Sequence, residues 1–346
     1  MPSQNANGLK LVAIGGGTGL STLLAGLKRF VGERGQDFWI EALSAIVTVS
    51  DDGGSSGRLR EELQMLPPGD IRNCMIALSE DSNLLSRLFR YRFRGSGDLG
   101  GHSLGNLFLA ALTDVTGDFV EAVRLSSEVL ASKGHIFPAT TSDVRLVAEL
   151  EDGRQLHGET QITGARSRIH RLRLVPEECL PLPEALAAIR TADVITVGPG
   201  SLYTSIIPNL LVTSVAEAIG AARATKIFIA NLMTQPGETD GFDFYEHLAT
   251  VRKYAPQINF DYAIVNDRPV SYQQAELYRA DGAYQILLGQ RDKLIALDPS
   301  IEIVRADLLE DGDMVRHDSE RLARVVVSCA KEVSSNLAPA DLLSTH

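Results

Sequence analysis

From Leu9 the chain passes through an apolar segment, LKLVAI, into five small residues, GGGTG, then a helix-forming stretch, LSTLLAGLKRF, and a second apolar run, SAIVTVS. This order constrains the fold more than any other feature, because a strand, a crossover helix and a second strand can only pair parallel. Parallel strands need both faces covered, so an α/β architecture with a mostly parallel sheet follows. The alternation resumes later as LPEALAAIRTA, DVITVGPG, SVAEAIGAARA, KIFIANLM, FDFYEHLATVRKY and FDYAIVN, a run of helix and strand signals in turn. Between about residues 143 and 175 the pattern changes to charge-rich alternating segments joined by Asp-Gly and Gly-Ala turns, which predicts a small antiparallel hairpin insertion. Residues 81–93 place Leu84, Leu85, Leu88 and Phe89 on one helical face and predict a core helix, and Gly105–Leu112 opens another. From about residue 269 the signal weakens, leaving a strand (EIVRADLL) and a final helix (SERLARVVVSCAKEV). One domain over residues 9–337 is expected, with disorder at Met1–Gly8 and beyond Leu337.

Composition narrows the function classes. The 346 residues are 44% hydrophobic and 22% charged, and 33 Lys+Arg against 44 Asp+Glu give a net charge of -11. Such acidity argues against nucleic-acid and membrane-surface binding, which rely on basic patches. Two local arginine groups run against the trend, Arg87, Arg90, Arg92 and Arg94, and Arg166, Arg168, Arg171 and Arg173. Either is a solvated face or a meeting place for an acidic ligand. Cys74, Cys179 and Cys329 lie far apart, with no metal-site or disulfide spacing. The absence of a signal-type N-terminus or a long apolar span leads us to expect a cytoplasmic chain without a membrane span.

The chemistry is concentrated at strand ends. VTVSDDGGSSGRLR, residues 47–60, runs from a strand through Thr48 and Ser50 straight into Asp51 and Asp52, two glycines, Ser55, Ser56, Arg58 and Arg60. Carboxylates for Mg²⁺ beside hydroxyls and guanidiniums for phosphate oxygens suit a polyphosphate ligand, and the carboxyl ends of strands are where open α/β sheets bind ligands. A plain polar strand-to-helix turn is the competing reading. Gly16, Gly17, Thr18 and Gly19 precede a helix, so their amides would face an anion, although neither GxGxxG nor GK[ST] is present. PPGDIRN places Asp70, Arg72 and Asn73 in a loop, with Asp70 as a possible N-cap. GHSLGN offers His102, Ser103 and Asn106 at a helix start, where His102 is either an acid–base or phosphate-binding group or a simple cap. GPGSLYTS presents Gly200, Ser201, Tyr203, Thr204 and Ser205, a clamp of donors for a phosphate or sugar. NLMTQPGET adds Asn231, and VND adds Asp267. Five loaded loops along one sheet edge are hard to explain as turns alone.

In this order GGGTGLSTLL, VTVSDDGGSSGRLR, PPGDIRN, GHSLGN, GPGSLYTS and NLMTQPGET resemble the gluconeogenesis factor family, the bacterial branch of the CofD-like (2-phospho-L-lactate transferase-like) superfamily. The likeness covers roughly Leu9 to Asp267. It implies a Rossmann-like sheet with helices on both faces, binding of a nucleotide sugar such as UDP-N-acetylglucosamine, and a role in cell shape and wall synthesis on gluconeogenic carbon sources. In the related transferases an acidic residue after the second strand helps hold Mg²⁺ near a diphosphate, and Asp51 or Asp52 matches that position. Regulation by a Ser/Thr kinase is a family property with no site assigned in this chain, and a homodimer is the default for such a protein. Two mechanisms are expected to compete. In a nucleotide-sugar-binding regulator, Gly16–Gly19 and Asp52 line the ligand, Ser201 and Thr204 hold its diphosphate, Asn231 reads a sugar or base edge, and Asn73, Asn106 and Gly200 add contacts. In a Mg²⁺-dependent transferase of a phosphate or phospho-acyl group, Asp51 holds the metal and Arg58, Arg72 or His102 assists.

Overall fold

The computed structural model describes residues 8–33, 39–80 and 84–336, so the expected disorder at Met1–Gly8 and beyond Leu337 falls outside the described residues except at Gly8, which is buried ahead of β1. Strand β1 (Leu9–Gly15) leads through α1 (Gly17–Leu27) to β2 (Ile40–Val47). Helices α2 (Gly54–Leu63), α3 (Gly69–Leu78), α4 (Leu84–Arg90), α5 (Leu104–Thr116) and α6 (Phe119–Val129) then precede β3 (His135–Pro138). The insertion comprises β4 (Arg145–Leu150), β5 (Gln155–His157), α7 (Glu159–Gly164) and β6 (Ile169–Val175). Helix α8 (Pro183–Thr191) and β7 (Val194–Val197) follow, then a π-type turn (Leu202–Ile206), α9 (Ile207–Leu211), α10 (Val215–Ala221) and β8 (Thr225–Ile229). The chain continues through α11 (Phe244–Tyr254), β9 (Tyr262–Asn266), α12 (Tyr272–Ala280), α13 (Arg291–Leu297), β10 (Glu302–Ala306) and α14 (Ser319–Asn336).

Seven strands form one sheet in the order β10-β9-β8-β7-β1-β2-β3, and every pair in it is parallel. The central strands are apolar throughout: all of β7 and the last five residues of β1 are buried, as strands covered on both faces must be. On one side α1 packs with α3 and α14; elsewhere α8, α9, α10 and α11 form a second group. The order moves outward from β1 through β2 to β3, then returns to β7 and proceeds the other way. The topological switch point therefore lies between β1 and β7, which makes the crevice at their carboxyl ends the ligand position of a doubly wound sheet.

Four local expectations are corrected. Strand β2 stops at Val47 rather than continuing to Ser50, because β1 ends at its partner Gly15 and beyond it the Thr48 N–H adds one last backbone bond, to the Gly15 carbonyl. The PPGDIRN segment is not a loop: α3 begins at Gly69 behind Pro68, so Asp70, Arg72 and Asn73 stand in its first turns, and Asp70 does not cap it. Prolines tolerate the start of a helix, where their missing N–H has no partner to lose. The helix expected at 81–93 is shorter and largely peripheral. Its first three residues lie outside the described residues; Phe89 is buried, Leu85 is half-buried, and Leu84 and Leu88 are exposed at 65% and 39%. The insertion is larger than a hairpin, an antiparallel sheet in the order β5-β4-β6 with α7 inserted between β5 and β6. Arg60, 3% exposed, ties it down through Asp143 and the Val144 carbonyl.

Candidate functional site

A cleft of about 580 Å³ opens at the switch point. One wall is the start of α1, Gly16 to Gly19; the opposite wall is the loop after β7 with Gly200, Ser201, Thr204 and Ser205. Sequence reasoning had singled out all of these. The wide π-type turn follows Ser201, whose carbonyl accepts from the amides of both Ser205 and Ile206, and such turns accumulate at functional sites. Asn231, at the end of β8, lies on the cleft wall, but its amide is already engaged. Its Oδ1 accepts from the Gly200 N–H at 3.0 Å and its Nδ2 donates to the Gly200 carbonyl at 2.7 Å. Asn231 thus shapes the loop, whereas Ser201 and Thr204 face a hydroxyl–carboxylate chain. Thr204 Oγ1 donates to Ser201 Oγ at 2.7 Å, and Ser201 donates to Glu238 at 2.8 Å.

Carboxylates concentrate beneath this cleft. A methyl group placed on Gly16 would lie 2.7 Å from Asp70 Oδ2, so that carboxylate rests directly against the glycine turn. The Gly17 N–H donates to it, which means that one amide of the α1 N-terminus already holds an anion supplied by the protein. Burial, then the neighbouring Asp51, push the Asp70 carboxyl up to about 6. Glu159, on the first turn of α7, is pushed up to about 8 by burial, then Asp51 and Asp70. Glu238, 2% exposed, is raised by burial and held by Ser201 and Thr163. Like charges that raise one another create a demand for a cation. Among the described residues no three His, Cys, Asp or Glu side chains converge as a ready-made metal cage.

The other predicted residues do not line the cleft wall, although Asp51 lies near enough to the carboxylate floor to raise both Asp70 and Glu159. Asp52 accepts from both the amide and hydroxyl of Thr160, at 2.9 and 2.8 Å, and so fastens α7 and the insertion to the loop after β2. Asp51 folds back on the Gly53 amide at 2.8 Å. His102 Nδ1 meets Ser55 Oγ at 2.9 Å, and Asn106 donates to the same hydroxyl at 3.0 Å. Ser103, not His102, caps α5. Arg58 donates to the Gly100 carbonyl. Arg72 and Asn73 line a separate cavity of about 420 Å³ on the other side of the α1 N-terminus. Asp267, at the end of β9, pairs with Arg305 rather than facing the cleft.

Several cleft residues went unrecognised in the sequence. Glu159 and Thr163 come from the insertion, and Tyr278, Asp281, Arg316 and His317 from the weakly patterned C-terminal region. His317 is 8% exposed, and burial drives its imidazole down to about 4. It is therefore neutral, hydrogen-bonded to the Ala230 backbone, with a buried and unpartnered Nε2. No motif announces it, because it reaches the cleft only after the chain returns from β10.

A doubly wound parallel sheet with a glycine turn, a hydroxyl turn and a carboxylate floor around the cleft at its switch point defines the class of this α/β protein. The chain belongs to the 2-phospho-L-lactate transferase CofD family, which it matches over residues 11–309. It is 46% identical to a relative in Nostoc sp. over 92% of this chain and 68% of the relative. The gluconeogenesis factor of Bacillus subtilis is 44% identical over 93% of this chain and 98% of its own length. A crystal structure of a Bacillus halodurans protein superposes with a TM-score of 0.86 at 43% identity, covering 93% of this chain and all of that one. Among the described residues no single helix is long and apolar enough to cross a membrane.

Proposed function

We propose that this chain is a gluconeogenesis factor that binds a nucleotide sugar of the UDP-N-acetylglucosamine class and acts as a regulator. The observation that carries the reading is the convergence, at the β1/β7 switch point, of the α1 N-terminus, the Ser201–Thr204 turn and a carboxylate floor. The helix end and hydroxyls suit a diphosphate. The floor suits Mg²⁺, which one or two carboxylates and waters hold together with ligand phosphates rather than in an all-protein cage. Asp51 and Asp70 are the residues that would hold it. When bound, the ion would neutralise charge between carboxylates and diphosphate. The cleft's apolar and aromatic wall near Leu232, Met233 and Tyr278 suits the base or sugar face. The biological role proposed with this ligand is maintenance of cell shape and wall synthesis on gluconeogenic carbon sources, since a wall-precursor sugar nucleotide would report on that demand.

Calorimetric titration of UDP-N-acetylglucosamine with Mg²⁺ tests the reading. Binding is expected, and it should weaken about tenfold or more in Thr204→Ala and Asp51→Asn, each of which removes a group serving the diphosphate or its ion. No binding of any uridine diphosphate sugar would overturn it. Steady consumption of a nucleoside diphosphate donor, lost in Asp51→Asn, would move the assignment to a Mg²⁺-dependent transferase.

A further inference from the structure

The cavity of about 420 Å³ on the far side of the α1 N-terminus is lined by Arg72, Arg90, Arg92 and Arg316, with Glu310 as the one carboxylate on its wall among the described residues. We propose that it is a second anion site, built for the phosphate or diphosphate group of a small molecule other than the nucleotide in the neighbouring cleft.

Four guanidiniums against one carboxylate is the reverse of this chain's overall balance of -11. The four cavity arginines are also without carboxylate partners among the described residues. Arg252, Arg268, Arg305 and Arg321 each sit in an ion pair with an aspartate, whereas none of the four cavity arginines forms one among the described residues. Arg72 donates to Ser103 and Asn73, and its Nε is buried with no partner. Arg92 donates to the Gly101 carbonyl, and its charge, after burial, helps push Arg72 below the usual guanidinium range. A solvated arginine face would spread such charges apart. Here α3, the end of α4 with the segment after it and the segment before α14 bring them together, and guanidiniums are the side chains best matched to phosphate oxygens.

Thr18, Thr22, Arg316 and His317 belong to both cavities. The two cavities therefore adjoin at these four residues, where His317 Nε2 is a buried acceptor without a donor. A protonated phosphate oxygen or an adjacent hydroxyl would supply that donor. The volume holds a small phosphorylated compound. The assignment does not depend on which nucleotide the larger cleft takes.

Arg90 and Arg92 are exposed, so both can be replaced without disturbing the core. The test is a thermal-unfolding and calorimetric titration of the full chain with inorganic phosphate and pyrophosphate, against sodium chloride at matched ionic strength. Stabilisation by the phosphates beyond that of chloride is expected, strongest for pyrophosphate, with affinity about tenfold or more weaker in Arg90→Gln/Arg92→Gln, as expected from the loss of two charge-assisted donors. The free variant should unfold where the native protein does. Absence of phosphate-specific binding, or equal binding by the double variant, would overturn the proposal. A parallel UDP-N-acetylglucosamine titration of the double variant separates the two sites: unchanged sugar-nucleotide binding leaves the loss assigned to the arginine cavity, whereas equal loss of both ligands would refute a separate second site.

Discussion

Gly19→Ala tests whether the close approach of α1 to the β7 loop defines the cleft. Gly19 lies in the first turn of α1, so alanine would gain up to about 1 kcal/mol of helix propensity. Against this, the new Cβ would stand 2.5 Å from the Pro199 oxygen, 2.7 Å from its carbonyl carbon and 2.9 Å from the Gly200 nitrogen. These are backbone atoms, and Gly200 is held on both sides by Asn231. Overpacking costs roughly 1–3 kcal/mol, and backbone atoms that cannot turn aside put this site at about 2–3 kcal/mol, so a net loss of about 1–2 kcal/mol is expected. Gly17→Ala is the contrast. Its φ of +60° penalises any side chain by about 1–2 kcal/mol, but its Cβ would have no neighbour nearer than Ser205 Oγ at 3.8 Å. Equilibrium urea unfolding should show both variants destabilised, and nucleotide-sugar titration should show the larger loss of affinity in Gly19→Ala, where the loop must move. A Gly19→Ala protein as stable as the native one would refute the reasoning, since the loop would then yield without cost.

Asn231→Ala should destabilise the protein by about 1–3 kcal/mol, the cost of leaving the buried Gly200 amide and carbonyl unpaired, measured by the same unfolding assay. The raised carboxyls fix the sign of the pH dependence: the folded state binds more protons than the unfolded one, so stability falls as pH rises from 3.8 to about 6 through Asp70 and from 4.5 to about 8 through Glu159. Unfolding curves across that range should flatten in Glu159→Gln, and Mg²⁺ should stabilise the native protein more at pH 8 than at pH 6, because protons and the ion compete for the same carboxylates. Asp52→Ala should loosen α7 by removing both Thr160 bonds, seen as faster amide exchange at Thr160 and its neighbours with the central sheet unaffected.

Much of the sheet was legible because its signals are local. The βαβ opening, the later strands β7, β8 and β9 and helix α14 all appear where apolar periodicity placed them. Gly16–Gly19, Ser201 and Thr204 were found because glycine and hydroxyl residues at strand ends carry a backbone reason to be there. Misread segments were those where local pattern and tertiary context diverge. Leu84 and Leu88 form a helical apolar face, but the helix lies at the periphery; Asp70 looks like a cap and is instead an anion lodged against Gly16.

The sequence by itself determined the parallel sheet and the two turns that face each other across its switch point, since strand periodicity and glycine conformational freedom are properties of contiguous residues. Only the tertiary structure decided what surrounds those turns. Glu159 arrives from the insertion, Glu238 from the loop after β8, and Arg316 and His317 from beyond β10. The raised carboxyls of Glu159 and Glu238 and the lowered imidazole of His317 arise from burial and from charges far apart in the chain, and the gathering of Arg72, Arg90, Arg92 and Arg316 around one cavity likewise joins distant segments. Such long-range electrostatics has no local pattern to be read from.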